Sequence, residues 1–415
     1  MRAPLPAGPY LVVGLARSGV AAARMLEPHG RVIGTDSGHP PDVPAGLEAH
    51  LGVDGVSLLD RVACVVKSPG VPNQAPVIEA ARERGLPVVG ELELAWRLLP
   101  QRFVAVTGTN GKTTTAELLG AIWREAGLPV AVAGNVGTPV ASLVGTLDAD
   151  ATVVCEVSSF QAEDSIEFAP DTALLLNLSE DHLDRHGTFE AYRDAKLRVF
   201  ARQRPEQVAV APTELAVPGE GRRVAFGDPA ELPLPPSEIR LRGPHNLENA
   251  MGASAAALAS GVPAEAVGAA LRSFGGVPHR LEEVAEVGGV LYVNDSKATN
   301  VSAAACGIEA FEGRVHAILG GSLKGGGFEG LREPVASRCR ACYLIGAAAD
   351  RLAADLEPTG VPLVRCGDLE TAVREASAAA RRGEVVLLSP ACASYDQFRD
   401  YEERGDRFRS LVPAE

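Results

Sequence analysis

"AVTGTNGKTTTAE", residues 105–117, is an apolar run, a glycine-spaced loop and the start of a helix that carries one lysine and three threonines. Gly108 and Gly111 let the backbone turn sharply and come close to a ligand. The amides of residues 110–114 are expected to point at an anion at the helix N-terminus. Lys112 is placed to neutralise terminal phosphates, and Thr113 to offer its hydroxyl to a magnesium ion. The common phosphate loop G-x-x-x-x-G-K-[ST] asks for glycine at position 106, where Val106 stands, so the spacing here is the shorter G-x-x-G-K-T. Strand, loop, Lys-Thr and helix coincide, which predicts nucleotide binding rather than a structural turn.

Outward from the loop the same alternation repeats. Strands are expected at "PVAVAG" (129–134), "ATVVCEVS" (151–158) and "TALLLNLS" (172–179), with helical stretches between them and a later helix at 245–261. Repeated strand–helix alternation predicts a mostly parallel, doubly wound sheet with its functional groups at the carboxyl ends of the strands. Asn135, Glu156, Ser158–Ser159 and the run Glu180–His182 stand at such ends. Glu156 is a candidate magnesium ligand, whereas His182 is an unusual one for so hard a cation. Upstream, residues 10–37 read as a βαβ unit ending at Asp36, but Ala16 breaks the G-x-G-x-x-G dinucleotide fingerprint between Gly14 and Gly19. That helix start is expected to receive a phosphate-bearing ligand, with the Ser-Pro-Gly turn of "CVVKSPGVP" (64–72) lining the same crevice. Downstream of "SFGGVPHR", "GVLYVNDS", "RVHAILGG", "ACYLIG", "VPLVRCG" and "EVVLLSPA" predict a further parallel α/β unit. The expected domains are 1–98, 99–276 and 277–415.

Composition narrows the function. A net charge of −14 argues against a nucleic-acid partner. No apolar run reaches the roughly 18 residues needed to span a bilayer, and the glycine-interrupted start does not read as a signal peptide, so a soluble cytoplasmic chain is expected. Cys339 and Cys342 form one C-x-x-C pair with no second pair to complete a zinc site. Lysine and arginine total 39, yet only Lys67, Lys112, Lys196, Lys297 and Lys324 are lysines. A retained lysine points to chemistry a guanidinium cannot do, as a compact charge or a deprotonatable amine.

"TGTNGKTTT" with "EVSSFQ", "NLSEDHLDRHGTFEAYRDAKLRVF", "HNLENA", "PHRLE" and "NDSKATN" resembles the ATP-dependent Mur ligases of peptidoglycan precursor synthesis. The match is collinear over nearly the whole chain, and "LGGSLKGGGF" and "LLSPACASYDQF" resemble the D-glutamate-adding branch. The resemblance implies three α/β domains: a Rossmann-like UDP-binding domain, a central P-loop-type ATPase domain and a Rossmann-like C-terminal domain for the incoming amino acid. It implies ATP, two Mg²⁺, the substrates UDP-N-acetylmuramoyl-L-alanine and D-glutamate, a monomer and no membrane insertion. Carried over by motif, Gly108, Thr109, Asn110, Gly111, Lys112, Thr113 and Thr114 would hold the ATP phosphates. Asn246 and Asn249 would lie near the adenine, and Arg280 and Asp295 near phosphates and ribose. Arg17, Ser18, Asp36, Ser37, Gly70, Asn135, Ser159 and Gln161 would face the UDP-substrate. Gly38 stands where a basic residue is common in the family, which weakens the uridine assignment. Thr113, Glu156, His182 and Lys196, the last as a carbamate formed from CO₂, would serve the metals. Lys297, Thr299, Lys324, Ser394 and Tyr395 would meet D-glutamate. Two domains serving one site implies closure near residue 277. The competing readings are another Mur-type or folylpolyglutamate-type ligase, and a nucleotide-regulated binding protein without catalysis.

Overall fold

The structure, a computed structural model, describes residues 2–241, 243–323 and 326–413. Three sheets carry it. The first is built from β1 (Tyr10–Val13), β2 (Val32–Asp36), β3 (Glu48–Leu51), β4 (Cys64–Lys67) and β5 (Val88–Gly90), in the order β3-β2-β1-β4-β5. All four pairings are parallel. β1 and β4 are buried along their whole length, as the unbroken apolar runs "YLVV" and "CVVK" require of strands covered on both faces. The chain leaves β1 toward β2 on one side and returns to β4 on the other, so a crevice opens at their carboxyl ends. Helices α1 (Arg17–Leu26), α2 (Pro76–Glu83) and α3 (Glu91–Leu98) belong to this sheet. α1 buries Val20, Ala22, Ala23, Met25 and Leu26, one helical stripe.

The second sheet holds β6 (Arg102–Thr107), β7 (Val130–Gly134), β8 (Thr152–Glu156), β9 (Thr172–Leu175), β10 (Val208–Pro212) and β11 (Arg222–Phe226), in the order β11-β10-β9-β6-β8-β7. It too is wholly parallel. β6 sits between β8 and β9, so the loop at 107–112 opens at a switch point. Helices α4 (Lys112–Glu125), α5 (Ser159–Glu163), α6 (Leu183–His186), α7 (Phe189–Ala201), α8 (Pro244–Ala259) and α9 (Ala264–Ser273) follow.

Both sheets lie in one compact unit, Met1–Glu238 with Glu248–Arg272. Their apolar faces share a core in which Phe168 meets Trp96 and Phe103 edge-on, at 5.7 and 6.1 Å. Polar links reinforce it. The buried Glu93 carboxylate accepts the amides of Ile166, Glu167 and Phe168 and an Arg97 N–H. Hydrogen bonds to a charged group contribute about 1.5–3 kcal/mol each, and here they replace the water that Glu93 has lost.

The second unit, Ile239–Leu247 with Ser273–Glu415, contains one sheet. Its strands β12 (Glu282–Val287), β13 (Val290–Asn294), β14 (Val315–Gly320), β15 (Cys339–Ile345), β16 (Leu363–Gly367) and β17 (Val385–Leu388) run in the order β12-β13-β17-β14-β15-β16. Five strands are parallel as expected, but β12 pairs antiparallel with β13. The turn between them is Gly288–Gly289, at φ 59° and 81°, the positive values that a two-residue hairpin needs. Helices α10 (Val301–Glu309), α11 (Arg332–Arg338), α12 (Ala349–Leu356), α13 (Leu369–Ala379) and α14 (Tyr401–Leu411) complete the unit. Among the described residues no helix is long and apolar enough to cross a membrane.

Candidate active site

The loop after β6 is a compact hydrogen-bonded object. Gly111 caps α4 at φ 83°, a left-handed conformation that costs other residues about 1–2 kcal/mol. A Cβ there would fall 2.0 Å from Asn249 Oδ1, so glycine also makes room for the α8 side chain. The Lys112 ammonium donates to the carbonyls of Gly108 and Thr109, at 2.9 and 2.8 Å, and so lies over the loop. Thr109 Oγ1 accepts from Ser179 N and from the Tyr192 hydroxyl, and donates to Ser179 O. The Asn110 amide donates to Asn177 Oδ1 at 2.9 Å. Of the five amides expected to face an anion, this one is therefore turned to a side chain of the strand-end segment after β9. Thr114 is buried in the first turn of α4, and Thr113 is half-buried beside it.

Glu156 ends β8, next to β6, and is 3% exposed. Its Oε2 accepts from Thr113 Oγ1 at 2.9 Å and its Oε1 from Asn135 Nδ2 at 3.2 Å. Lys196 points from α7 toward the same loop and donates to Gly108 O at 2.7 Å, with 2% of its surface exposed. Burial, and after it the nearby Lys112 charge, brings its amine down to about 7. His182 is exposed, adopts φ 51° and packs its ring, tilted by 52°, 4.9 Å from that of Phe160. Its amide donates to Asp181 Oδ1. Thr113 and Glu156 thus supply the hydroxyl and carboxylate oxygens that suit a hard divalent cation, and a Lys196 amine near neutrality suits carbamate formation. Among the described residues no group of three or more His, Cys, Asp or Glu is arranged to hold a metal, so the oxygen set here differs from a closed protein cage.

A cavity of about 560 Å³ opens at the switch point of the first sheet. Ser18, Asp36, Ser37, Gly70, Asn135 and Gln161 line it, which brings together six of the eight residues expected there. Arg17 instead lines a neighbouring cavity of about 690 Å³ between α1 and residues 139–144. Ser159 is buried, with its hydroxyl 3.0 Å from His186 Nε2. The Asp36 carboxylate accepts the amides of Leu15 and Gly38, so it shapes the β1 and β2 turns. Asn135 joins this cavity to Glu156 and through it to Thr113.

Asn249 on α8 belongs to the first unit and lies against Gly111 of the phosphate loop, whereas Asn246, in the first turn of the same helix, is buried and belongs to the second unit. Asp295 is buried at the end of β13, accepting from Leu281 N and Ser389 Oγ, and burial raises its carboxyl to about 7. Arg280 is half-buried. Lys297 places its ammonium 5.6 Å from the Tyr401 ring centre, and the Thr299 amide donates to Lys297 O. Ser394 is buried and Tyr395 is 73% exposed. Lys324 lies outside the described residues. One group here has no signal in the sequence: Arg404 on α14 is fully buried and donates to Ser296 Oγ, Ser296 O, Ala393 O and Cys392 O. It ties the "NDSKATN" turn to the "SPACASY" turn, and burial lowers its pKa to about 10. Tyr192 on Thr109 was equally silent, since an aromatic on a helix reads as core.

A parallel-sheet domain with a Lys-Thr phosphate loop, preceded by a domain with a crevice at its switch point and followed by a third α/β domain, defines a three-domain class that works on phosphate-bearing substrates. Family models agree in order along the chain: the Mur ligase MurD-like N-terminal domain over residues 9–90, the Mur ligase middle domain over 106–219 and the Mur ligase glutamate ligase domain over 279–392. The chain is 43% identical to the UDP-N-acetylmuramoylalanine–D-glutamate ligase of Acidobacterium capsulatum, covering 97% of this chain and 96% of that one. It is 44% identical to the ligase of the same name from Anaeromyxobacter dehalogenans, with the same coverage. Among solved structures it resembles MurF ligase from Thermotoga maritima, with a TM-score of 0.59 at 18% identity over 98% of this chain and 94% of that one. UDP-N-acetylmuramate–alanine ligase from the same organism gives 0.57 at 18%, over 97% and 98%; both likenesses are of fold. The chain belongs to the Mur ligase family, and with that family goes the use of ATP.

Proposed function

We propose that this chain joins D-glutamate to UDP-N-acetylmuramoyl-L-alanine at the expense of ATP, in the cytoplasm, as a step of peptidoglycan precursor synthesis. The observation that carries the reading is the continuous line Thr113–Glu156–Asn135, which links the phosphate loop to the cavity lined by Ser18, Ser37 and Gly70. The identity to ligases of that name over nearly the full length supports it. We place the domains at 1–98, 99–276 and 277–415.

The alanyl carboxylate cannot lose an oxygen unaided, so ATP first gives it the γ-phosphoryl group and leaves as ADP. The amine of D-glutamate then attacks the acyl carbon, a tetrahedral intermediate forms, and its collapse breaks the carbon–oxygen bond to inorganic phosphate. Such chemistry asks the protein for position and charge. Lys112 swings from the Gly108 and Thr109 carbonyls to the β- and γ-phosphates. Thr113 and Glu156 would hold one Mg²⁺, and His182 and a carbamylated Lys196 would serve a second. When bound, the ions neutralise the phosphate oxygens as charge moves onto them. Asn135 orients the substrate near the transferring group. Asn246, Asn249, Arg280 and Asp295 are assigned to the rest of ATP, and Lys297, Thr299, Lys324, Ser394 and Tyr395 to D-glutamate.

Phosphate release with ATP and UDP-N-acetylmuramoyl-L-alanine is expected to depend on D-glutamate, and Lys112→Ala is expected to lower kcat by at least about 100-fold. No stimulation by D-glutamate, or equal stimulation by other amino acids, would remove this reading.

A further inference from the structure

We infer that Arg185 is a positioning residue that fixes the substrate-side turn 69–71 against the segment bearing His182. The inference rests on the reading of the cavity as the UDP-substrate site. Pro69, Gly70 and Val71 line that cavity. The Arg185 guanidinium donates to all three of their carbonyls, to Val71 O at 2.8 Å, Pro69 O at 3.3 Å and Gly70 O at 3.4 Å. The turn and the arginine are 114 residues or more apart in sequence, so only the fold joins them.

The arginine is held from below as well. Its Nη2 meets Glu163 Oε1 at 3.1 Å, and its guanidinium lies 4.5 Å from the Phe160 ring centre. The same Phe160 ring packs 4.9 Å from His182 and 5.4 Å from His186. Glu163 is shared: Lys67, the last residue of β4, reaches its Oε1 at 3.3 Å and Asp164 Oδ2 at 2.6 Å. Lys67 is fully buried and enters from the strand that leads into the turn. Two cations, one from each side, therefore converge on the end of α5. A planar fork with five donors can span three carbonyls and a carboxylate at once, which a lysine ammonium cannot.

Arg185 is three residues beyond His182 on the short helix α6. A shift of the turn when the cavity fills is thereby transmitted to the residue assigned to the second metal, and the reverse. The consequence is specific: loss of Arg185 weakens the substrate at the cavity far more than ATP.

The test compares wild type with Arg185→Met and Arg185→Lys. Steady-state kinetics are expected to show KM for UDP-N-acetylmuramoyl-L-alanine raised by about ten-fold or more and KM for ATP changed by less than about two-fold in both variants. Calorimetric affinity for UDP alone, which needs no turnover, is expected to fall in parallel. Arg185→Lys is expected to keep the wild-type melting temperature while failing to restore KM, which separates positioning from folding. Equal rises in both KM values, unchanged UDP affinity, or full rescue by lysine would overturn the inference. A wild type that binds UDP but forms no product would instead reject the assigned reaction and leave the UDP comparison decisive for Arg185.

Discussion

At Lys196 a single amine decides what a residue can do. Its burial on α7, with Lys112 nearby, brings its pKa to about 7, so about half of it is neutral at neutral pH. An ordinary lysine would be neutral in about one molecule in a few thousand at that pH. Only the neutral amine adds CO₂. Activity is therefore expected to fall in CO₂-free buffer and to return on adding bicarbonate. Lys196→Ala is expected to lose at least about 100-fold in kcat and to recover part of it with acetate or formate, whereas Lys196→Arg recovers nothing. Full activity of Lys196→Ala without added acid would refute the carbamate. The rarity of lysine pointed to this residue, but rarity did not sort the five. Lys67 turned out to be a buried partner of Asp164, a role that becomes visible only when residues 97 apart meet.

The loop and α4 form the element whose sequence was most informative, and its glycine is doubly constrained. Gly111→Ala would have to adopt φ 83° and would press its Cβ against Asn249 Oδ1. Expected is a loss of about 1–2 kcal/mol in urea unfolding from the backbone alone, with ATP affinity reduced because Asn249 and the loop must part. Unchanged nucleotide affinity in a fluorescent-ATP titration would show that the close approach has no part in binding. Other elements were less legible. β6, β8 and β9 announce themselves as apolar runs, but β3 ("EAHL"), β11 ("RRVAF") and β12 ("EEVAEV") are edge strands with charged, partly exposed residues. An edge strand can leave one side to solvent, and in these three, charged residues break the continuous apolar pattern that reveals a central strand.

In the first unit as a whole, Glu91 joins the two sheets by a bond that carries a pH signature. It opens α3, is 1% exposed, and its Oε1 accepts the Ala141 amide at 2.6 Å while Oε2 has no protein partner. Burial lifts its carboxyl to about 7, so the folded state holds a proton that the unfolded chain releases near 4.5. Stability from this group is complete below pH 4.5 and is lost as pH rises through 7. The loss is on the order of 3 kcal/mol. Glu91→Gln is expected to flatten that decline in urea midpoints measured from pH 5 to pH 8, and an unaltered slope would show that Glu91 is ionised throughout. Nothing local singles out this residue, because its burial comes from a segment fifty positions away. By itself the sequence determined the loop, the central strands and the family, since each rests on local spacing or on motifs that survive as short strings, and it nominated the side chains proposed to react. Only the tertiary structure decided which strands are neighbours, that Thr113, Glu156 and Asn135 form one line, that Arg17 leaves the expected cavity, and that Arg185 and Arg404 anchor distant turns. Those facts depend on burial and on hydrogen bonds across long separations, and a linear string carries neither.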